Sequence, residues 1–355
     1  MNRLKRVFII GHFEGASNNR TDLELKSLIS LGVNCEKINL LPYIKSRSKY
    51  ILRLFKSFSY LFKISSTDVV IIYGESPFFV IDTFFIRLAG GRIIFERTEY
   101  SNEVLYGKKE DKKKKSLFDF LKNLKYADGF ITCSDALIQY YRQFVPSEIE
   151  ILKLSLLVDS GKFHYQGESP YNFKYIAYCG YMGDNKDGVP ILIEAFKKIQ
   201  ADYKEINLLL IGTASEREMI SLKEQVKGIE ERVIFTGAVA HDAMPKLLSS
   251  ASILALARPD NKQAEGGFPS KLGEYLSTGK PVIVTKVGEI PSYIQDGVNG
   301  YLVEPDDADL FANKLKYILD NYDEALIVGK EGLKLAKYFD YFNQGLMLKN
   351  YIMKI

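Results

Sequence analysis

The segment Gly266-Gly-Phe-Pro-Ser-Lys-Leu-Gly-Glu-Tyr-Leu-Ser-Thr-Gly-Lys-Pro-Val282 combines a glycine-rich loop, a short helix and the approach to a buried strand. Pro269 suits the first turn of a helix, and Gly279 suits its end. Apolar runs at residues 253–257 and 282–285 flank the segment. A strand, a helix and a second strand in this order predict one repeat of a parallel α/β sheet.

Runs of the same kind recur along the whole chain. Each is short, apolar and bounded by polar residues or glycine, as expected of strands buried on both faces of a sheet. The predicted strands are residues 6–10, 69–73, 92–95, 129–132, 149–152, 175–179, 207–211, 233–236, 253–257 and 282–285. Helical patterns include residues 189–200, 243–250 and 306–319. We therefore predict an α/β protein with two Rossmann-like, doubly wound parallel-sheet domains.

The length of 355 residues fits two domains. Residues 161–172 lack periodicity and carry Gly167, Ser169 and Pro170, which indicates a linker. We expect an N-terminal domain over residues 1–165 and a C-terminal domain over residues 166–335. The remaining residues, 336–355, are predicted to form a helix that packs back on the N-terminal domain.

The composition argues against several classes of site. The three cysteines and the three histidines are scattered, so we expect neither a disulfide framework nor a metal site. The apolar run near the start is too short for a signal peptide, and no stretch reaches the ~20 apolar residues of a membrane span. We therefore expect a cytoplasmic protein, and the net charge of +4 is too mild to indicate a partner by itself.

The quoted segment also has the chemistry of a nucleotide site. The first turn of its helix presents free N–H groups, the hydroxyl of Ser270 and the charge of Lys271, which together favour an anion such as a diphosphate. Glu274 follows Lys271 on a similar face, where its carboxylate can accept both hydroxyls of a ribose. The same residues also fit an amphipathic helix in which Lys271 and Glu274 form a surface pair.

At this point the sequence resembles the retaining glycosyltransferases of family 4, which have the GT-B fold. The resemblance covers residues 175–319 well and the N-terminal half in architecture only. It rests on stretches that occur in the order and spacing of that family, namely residues 180–188, 192–196, 208–212, 233–237, 244–248, 266–282, 288–291 and 296–300.

The resemblance implies roles for individual residues on the donor side. The loop Gly267, Phe268, Pro269, Ser270 and Lys271 would hold the donor diphosphate, and Glu274 would bind ribose. Lys186, after Gly180, matches the basic residue that neutralises the leaving diphosphate. A solvated loop lysine is the alternative interpretation of Lys186.

Two positions depart from the family pattern. Gly266 stands where the first glutamate of the E-x7-E motif is expected, so the adjacent Glu265 is our candidate substitute and a candidate catalytic residue. Tyr181 stands where the family often has arginine. Both departures concern the part of the site that contacts the sugar. The base would lie near Gly212 and His241, although a surface histidine is an equal alternative, and we expect UDP first and GDP second.

The acceptor side is predicted less sharply. Residues 11–20 form an expected loop that includes Gly15 and Asn18, before a helix that begins near Thr21. This loop lacks the G-x-G-x-x-G pattern, which disfavours a dinucleotide cofactor. Arg97 and Glu99 follow a strand and are candidates to meet the acceptor, with Glu99 also a catalytic candidate. A structural ion pair is the alternative, and the resemblance implies a reaction on the donor's own face that requires no strong protein base.

Residues 40–67 contain several cations and no Asp or Glu. On a helical wheel Lys45, Lys49, Arg53 and Lys56 share one side, and most apolar residues lie opposite. We expect the apolar side in the core and the basic side against anionic lipid on the inner face of the cell membrane, assisted by the basic run 108–115. A helix with solvated lysines is the alternative, and no nucleic-acid module accompanies these charges.

These observations predict a hexosyltransferase that uses a nucleotide diphosphate sugar and a glycan or lipid-linked glycan acceptor, without a cofactor or metal. Surface polysaccharide or glycolipid synthesis is the expected context. A non-catalytic nucleotide-sugar-binding subunit and a nucleotide-sugar epimerase on the same fold are the alternatives. An epimerase requires acid and base residues around the sugar that the sequence does not assemble, and a phosphorylase requires a pyridoxal-phosphate lysine that it does not reveal.

Overall fold

The structure is a computed structural model that describes residues 6–13, 15–40, 47–76, 78–101, 104–105, 124–183 and 186–355, with the side chains of residues 16, 17 and 47–50 excepted. The chain folds into two compact units. The first comprises Met1–Leu157 together with Tyr341–Ile355, and the second comprises Val158–Asp340.

The strands form two sheets, one in each unit. In chain order they are β1 (Val7–Gly11), β2 (Cys35–Asn39), β3 (Val69–Tyr73), β4 (Arg92–Arg97), β5 (Gly129–Thr132), β6 (Ile151–Lys153), β7 (Lys174–Cys179), β8 (Ile206–Ile211), β9 (Val233–Gly237), β10 (Ile253–Leu256), β11 (Val282–Thr285) and β12 (Tyr301–Val303). The sheet of the first unit has the order β2-β1-β3-β4-β5-β6, and that of the second has the order β12-β11-β10-β7-β8-β9. Neighbouring strands are parallel in both sheets.

Within the described residues, helices lie between most consecutive strands of each sheet, as parallel pairing requires. The described helices are α1 (Gly15–Ser30), α2 (Arg47–Lys63), α3 (Phe79–Leu88), α4 (Asp135–Arg142), α5 (Val189–Ile199), α6 (Glu216–Gln225), α7 (Met244–Ser249), α8 (Lys262–Gly266), α9 (Ser270–Ser277), α10 (Ala308–Asp320), α11 (Tyr322–Tyr338) and α12 (Tyr341–Lys354). Within the described ranges, none of the helices combines the length and the apolar character needed to cross a bilayer.

The predicted α/β class and the two parallel sheets agree with this architecture. The ten predicted strands all occur, with ends that shift by up to two residues. Two edge strands, β2 and β12, were not predicted. β2 has the sequence Cys-Glu-Lys-Ile-Asn and lies half exposed, so it lacks the continuous apolar run of a central strand.

The unit boundaries lie at Leu157/Val158 and Asp340/Tyr341, whereas the sequence predicted 165/166 and 335/336. The difference arises because the segment after Leu157 packs within the second unit. The backbone N–H of Val158 donates to Phe339, and Ser160 donates to the carboxylate of Asp340 at 2.6 Å. The predicted linker therefore begins inside a folded region.

Helix α12 belongs to the first unit, where it packs along α1 and the sheet. The hydroxyl of Tyr351 accepts a hydrogen bond of 2.9 Å from the backbone N–H of Phe130 in β5. Leu348, Tyr351 and Ile352 join the same apolar cluster as Val7 and Val69. The C-terminal residues thus complete the core of the unit in which the chain begins.

The prediction of a loop over residues 11–20 is wrong, because α1 begins at Gly15. Gly15 is exposed and has a φ of +49°. Asn18 lies in the first turns of α1, where its side chain donates to Asp22 at 2.9 Å and accepts from Lys37 at 2.9 Å. The polar residues of this stretch therefore stabilise a helix and its contact with β2.

The predicted orientation of α2 is also wrong. Arg53, expected on a lipid-facing side, is buried and forms a bidentate ion pair with the buried carboxylate of Asp82 on α3. Ser57 donates to the same carboxylate at 2.7 Å. Lys45, the side chain of Lys49 and the run 108–115 lie outside the described residues, and Lys56 donates to the carbonyl of Asn39.

The Arg53–Asp82 pair gives a stability prediction. Because removal of one partner leaves a buried charge uncompensated, we expect Asp82→Ala to lower the free energy of unfolding by about 3 kcal/mol. The measurement is the urea midpoint followed by circular dichroism. The control, Glu331→Ala, removes a surface partner of Lys334 and should leave the midpoint unchanged. Equal midpoints for Asp82→Ala and the unaltered protein would show that the pair does not hold α2.

Candidate functional site

The candidate donor residues gather at one place in the second unit. The chain moves from β7 to β8 on one side of the sheet and from β10 to β11 on the other, so the strand order switches between β7 and β10. In open parallel sheets, ligands bind beyond the carboxyl ends of strands at such a switch. Gly180 directly follows β7, while Gly267 and Lys271 lie between β10 and β11.

Two glycines allow the loops at this edge to approach closely. Gly180 has a φ of +151°, and a Cβ there would lie 2.2 Å from Cε of Lys271. A Cβ at Gly212, after β8, would lie 2.0 Å from the carbonyl oxygen of Gly180. Side chains at either position would therefore displace the neighbouring loop or the lysine.

Lys271 is held by a carboxylate that the sequence did not single out. Its Nζ lies 2.6 Å from Oδ2 of Asp187, which is buried, and the Tyr178 hydroxyl also contacts Oδ2, at 2.9 Å. Nε of the buried Arg258 lies 3.7 Å from the other carboxylate oxygen. Asp187 thus fixes the ammonium of Lys271 in front of Gly180.

Arg258 links this cluster to the glycine-rich loop, because its guanidinium donates to the carbonyl of Gly267 at 3.2 Å. Burial alone would raise the pKa of Asp187, but the charges of Lys271 and Arg258 outweigh it and hold the pKa below its usual range. The cluster therefore carries two cations and one anion, a net positive charge at the edge where a diphosphate is expected.

Glu274 lies one turn along α9 from Lys271. Burial raises the pKa of its carboxyl to about 7, while the nearby charges of Lys271 and Lys162 act in the opposite direction. Lys162 comes from the 3-10 turn Ser160–Phe163, which packs against α9. Glu274 is half buried, and a carboxylate in such a position gains more from two hydroxyl donors than a fully exposed one would.

The two predicted catalytic residues of the second unit, Lys186 and Glu265, lie on different elements of the structure. Lys186 is half buried in the loop that follows Gly180. Glu265 lies on the short helix α8, and its carboxylate pairs with Lys262. Gly266 is buried at the end of the same helix. The pairing with Lys262 occupies the carboxylate that was expected to replace the missing glutamate.

Phe268, Pro269 and Ser270 form the approach to α9. The ring of Phe268 stacks on Tyr293 with centroids 5.3 Å apart and meets Phe339 edge-on. Pro269 occupies the N-cap and Ser270 is the first, exposed residue of the helix. The aromatic contacts anchor the loop, so the position of the helix N-terminus is set before a ligand binds.

Tyr181 and His241 are both exposed. The hydroxyl of Tyr181 donates to Glu218 near the start of α6 at 2.8 Å. His241 is exposed in the turn between β9 and α7. Gly212 is the better placed of the predicted base-side residues, because its loop directly contacts Gly180.

In the first unit the two acceptor-side candidates, Arg97 and Glu99, differ in their exposure to solvent. Arg97 is buried, and its guanidinium donates to the carbonyl of Ile72 at 2.9 Å, so it supports the sheet. Burial lowers the pKa of Arg97 to about 10. Glu99, two residues later, is exposed. Arg97 therefore gives at least one of its donors to the backbone, and its role towards the acceptor stays a prediction.

A buried polar cluster near the same edge of the first sheet was also not predicted. Arg20 lies 2.7 Å from Glu96 and 3.2 Å from Glu24, and its guanidinium also donates to the carbonyls of Leu154 and Ser155. Burial, together with the charge of Glu96, raises the pKa of Glu24 well above its usual value.

Among the residues that the structure describes, no three His, Cys, Asp or Glu side chains form a metal site.

The second unit contains a match to a known protein family. Residues 173–321 match the model of the family Glycosyl transferases group 1. The second unit therefore contains a glycosyl transferases group 1 domain. The resemblance predicted from the sequence is confirmed at this level, and the matched range contains the whole cluster around Asp187 and Lys271.

Curated relatives match mainly over the same half. An uncharacterized glycosyltransferase of Methanocaldococcus jannaschii is 28% identical over 174 residues, which cover 49% of this chain and 46% of that protein. The lipopolysaccharide 1,2-N-acetylglucosaminetransferase of Salmonella typhimurium is 26% identical over 172 residues, which cover 46% and 44%. The chain thus spans less than half the length of these relatives.

A solved structure extends the likeness to the whole chain. Anabaena HepE in complex with UDP has a TM-score of 0.73 at 15% identity, covering 99% of this chain and 100% of that chain. At this identity the likeness concerns the fold. Together with the two six-stranded parallel sheets, it confirms the predicted GT-B fold.

The ion pair of Lys271 and Asp187 predicts different effects on UDP binding when each of its two members is replaced. If Lys271 contacts a diphosphate, Lys271→Met should weaken UDP binding at least tenfold, the equivalent of about 1.4 kcal/mol. Asp187→Asn removes a competing negative charge, so UDP should bind as tightly as before or more tightly. Isothermal titration calorimetry on both variants is the measurement. If Asp187→Asn also weakened UDP binding tenfold, the Lys271–Asp187 pair would act only by holding the loop in its conformation, and not by direct contact of Lys271 with the diphosphate.

Glu274 gives a pH prediction. The carboxylate form is the better acceptor for ribose hydroxyls, and its fraction rises with pH through about 7. UDP affinity should therefore rise over this range and then level off. Glu274→Gln should bind roughly ten- to hundredfold more weakly, because a hydrogen bond to a charged group contributes about 1.5–3 kcal/mol.

The control for this prediction is the comparison of the two proteins across the same pH series. Ionisation of the UDP phosphate affects both equally, so only the difference between the two curves reports Glu274. Parallel curves would contradict the ribose assignment.

Proposed function

We propose that this protein is a retaining glycosyltransferase of family 4 that transfers a hexose from a nucleotide diphosphate sugar to a glycan or lipid-linked glycan. The observation that carries the proposal is the cation cluster of Lys271 and Arg258 around Asp187, directly beside Gly180 at the β7/β10 switch. It lies within the range that matches glycosyl transferases group 1.

The proposed donor complex places the diphosphate at the start of α9 and the ribose on Glu274. Lys271 and Lys186 then face the phosphate that leaves. As the bond between C1 of the sugar and the phosphate oxygen breaks, negative charge grows on the terminal phosphate, and fixed cations lower the barrier. The acceptor oxygen bonds to C1 on the same face of the sugar and its proton passes to the leaving phosphate, so the anomeric configuration is retained.

UDP is the proposed first donor and GDP the second. Support for a uridine nucleotide comes from the fold-level relative Anabaena HepE, which is described in complex with UDP. In this chain the base is proposed to lie along the loops at Gly212 and His241. Gly212 supports this position because it brings the loop after β8 against Gly180.

The acceptor is proposed to bind to the first unit, near Gly15, Asn18 and Glu99. Asn18 is bonded to Asp22 and Lys37 within this unit, and Glu99 is exposed. A glycan or glycolipid acceptor in surface polysaccharide synthesis agrees with the Salmonella relative, whose name describes transfer to lipopolysaccharide. Association with the cytoplasmic face of the membrane would bring such an acceptor within reach.

We propose no cofactor and no metal for this reaction, because Lys186 and Lys271 supply the positive charge that a divalent cation would otherwise supply. The pair of a cation and a helix N-terminus is a sufficient partner for a diphosphate.

A second candidate is a nucleotide-sugar-binding subunit without activity. The observation that favours it is the ion pair of Glu265 with Lys262, next to Gly266 where a catalytic glutamate was expected. Such a protein would bind UDP as the transferase does, through Lys271 and Glu274. Turnover of a nucleotide sugar distinguishes the transferase from the binding subunit, whereas UDP binding is expected of both.

The test is release of free nucleotide from UDP- and GDP-sugars in the presence of membrane extract as acceptor. We expect turnover that EDTA does not abolish, and Lys186→Ala should lower kcat by about a hundred- to thousandfold while UDP still binds. The anomeric configuration of the product, read by NMR, should match that of the donor. Binding without turnover across all donors and acceptor extracts would favour the binding subunit.

A further inference from the structure

The outer surface of α2 and α3 exposes an unusual number of large apolar side chains. We call this set the phenylalanine face. Its members and their exposed fractions are Ile51 52%, Leu52 58%, Phe55 67%, Phe58 46%, Phe62 81%, Phe84 61% and Leu88 63%.

These side chains form a continuous surface. Ile51, Phe55, Phe58 and Phe62 follow the helical spacing 4-3-4, so they lie within an arc of about 60° on α2. The ring of Phe58 meets Phe62 and Phe85 edge-on, both at 5.6 Å, and Phe85 meets Phe84 at 5.3 Å. The face therefore runs without a break from one helix to the other.

The size of the face exceeds what a soluble surface usually carries. With roughly 150–250 Å² for a fully exposed large side chain, the exposed fractions amount to on the order of 800 Å². The largest apolar patch on a typical monomer is about 300–600 Å², and larger ones mark interaction sites. Incidental exposure of single side chains does not account for such a surface.

The interior contacts of α2 fix this orientation. Arg53 and Ser57 point inward to the buried carboxylate of Asp82, and Tyr60 is buried on the same side of the helix. A rotation of α2 that hid the phenylalanines would break the Arg53–Asp82 pair in a buried place, at a large cost. The apolar face is thus held outward by a polar anchor.

Charges beside the face indicate the kind of partner. Lys56 and Lys63 lie on one flank of α2, and the helix contains no acidic residue. The Nζ of Lys56 donates to the carbonyl of Asn39 and that of Lys63 pairs with Glu36, so both ammonium groups are held at the level of the protein surface. Aromatic side chains with lysines alongside are typical of helices that lie in the membrane interface.

We propose that the phenylalanine face inserts into the boundary between the headgroups and the acyl chains of an anionic lipid bilayer. The membrane contact is then apolar at its centre and cationic at its edge, the reverse of the arrangement expected from the sequence. This proposal does not depend on glycosyl transfer, because it concerns the lipid surface and not the donor site.

A second copy of the chain is the alternative occupant. In a two-fold interface the same surface meets itself, so the lysines of the two α2 helices would face a helix of like charge. Lipid phosphates offer opposite charge all along the flank. Charge complementarity therefore favours the bilayer.

The chain contains no tryptophan, so a single introduced tryptophan reports its own surroundings. The experiment mixes Phe62→Trp with vesicles of phosphatidylcholine and phosphatidylglycerol. We expect a blue shift of the emission and quenching by brominated lipid, because the ring leaves water. The matched control is Ile220→Trp, at a position on α6 that is 64% exposed, which should show neither effect.

A second measurement is vesicle cosedimentation of Phe55→Ser/Phe62→Ser. We expect a loss of at least tenfold in partitioning, with UDP affinity unchanged. Unchanged partitioning, or an unshifted Phe62→Trp emission, would overturn the proposal. So would a dimer that the double substitution dissociates while vesicle binding persists. Vesicle binding by a protein that releases no nucleotide from UDP- or GDP-sugars with membrane extract would count against the proposed function and leave this inference intact.

Discussion

One buried carboxylate, Asp187, connects the three chain segments that make up the candidate site. It accepts from Lys271 at the start of α9, from Tyr178 at the end of β7, and lies beside Arg258 after β10. Gly188 permits this meeting, because a Cβ there would lie 1.7 Å from the carbonyl oxygen of Ala257. A buried anion between two cations is stable only while both remain, so the loops hold one another in place.

The same carboxylate sets the electrostatic state of the site. Lys271 and Arg258 carry two positive charges, and the carboxylate of Asp187 between them leaves a single positive charge in excess. This residual charge, the helix N-terminus of α9 and the half-buried carboxyl of Glu274 form a polar strip. The strip matches the order of groups in a nucleoside diphosphate, with phosphates at one end and ribose at the other.

Much of this fold can be predicted from the sequence, because a strand buried on both faces must be apolar throughout. Val69–Tyr73 and Val282–Thr285 were predicted to the residue for that reason. The edge strands β2 and β12 were missed because they are short or half exposed. Lys271 and Glu274 were predicted as site residues from helix-start chemistry, and they remain predictions. Asp187 was not, since its role depends on Arg258, which lies 71 positions away along the chain and meets it only in the folded unit.

The error on α2 has a related cause. A helical wheel assigns polar residues to water, and Arg53 therefore appeared to belong with the exposed lysines. In the structure its partner Asp82 lies on the neighbouring helix α3. Because the Arg53–Asp82 pair is buried, the phenylalanines on the opposite side of α2 face outward. Arg97 is likewise buried, and one nitrogen of its guanidinium donates to the backbone carbonyl of Ile72. Local patterns do not reveal partners that come from distant parts of the chain.

The edge of the second sheet at β7 and β10 is proposed to bind the diphosphate and ribose of a nucleotide sugar. A crystal structure of the protein with bound UDP-sugar is the most direct test of this binding site. We expect phosphate oxygens within hydrogen-bonding distance, about 3 Å, of Nζ of Lys271 and of the backbone at the start of α9. We also expect both ribose hydroxyls to donate to Glu274. A nucleotide bound away from Lys271 and Glu274 would show that the donor site lies elsewhere.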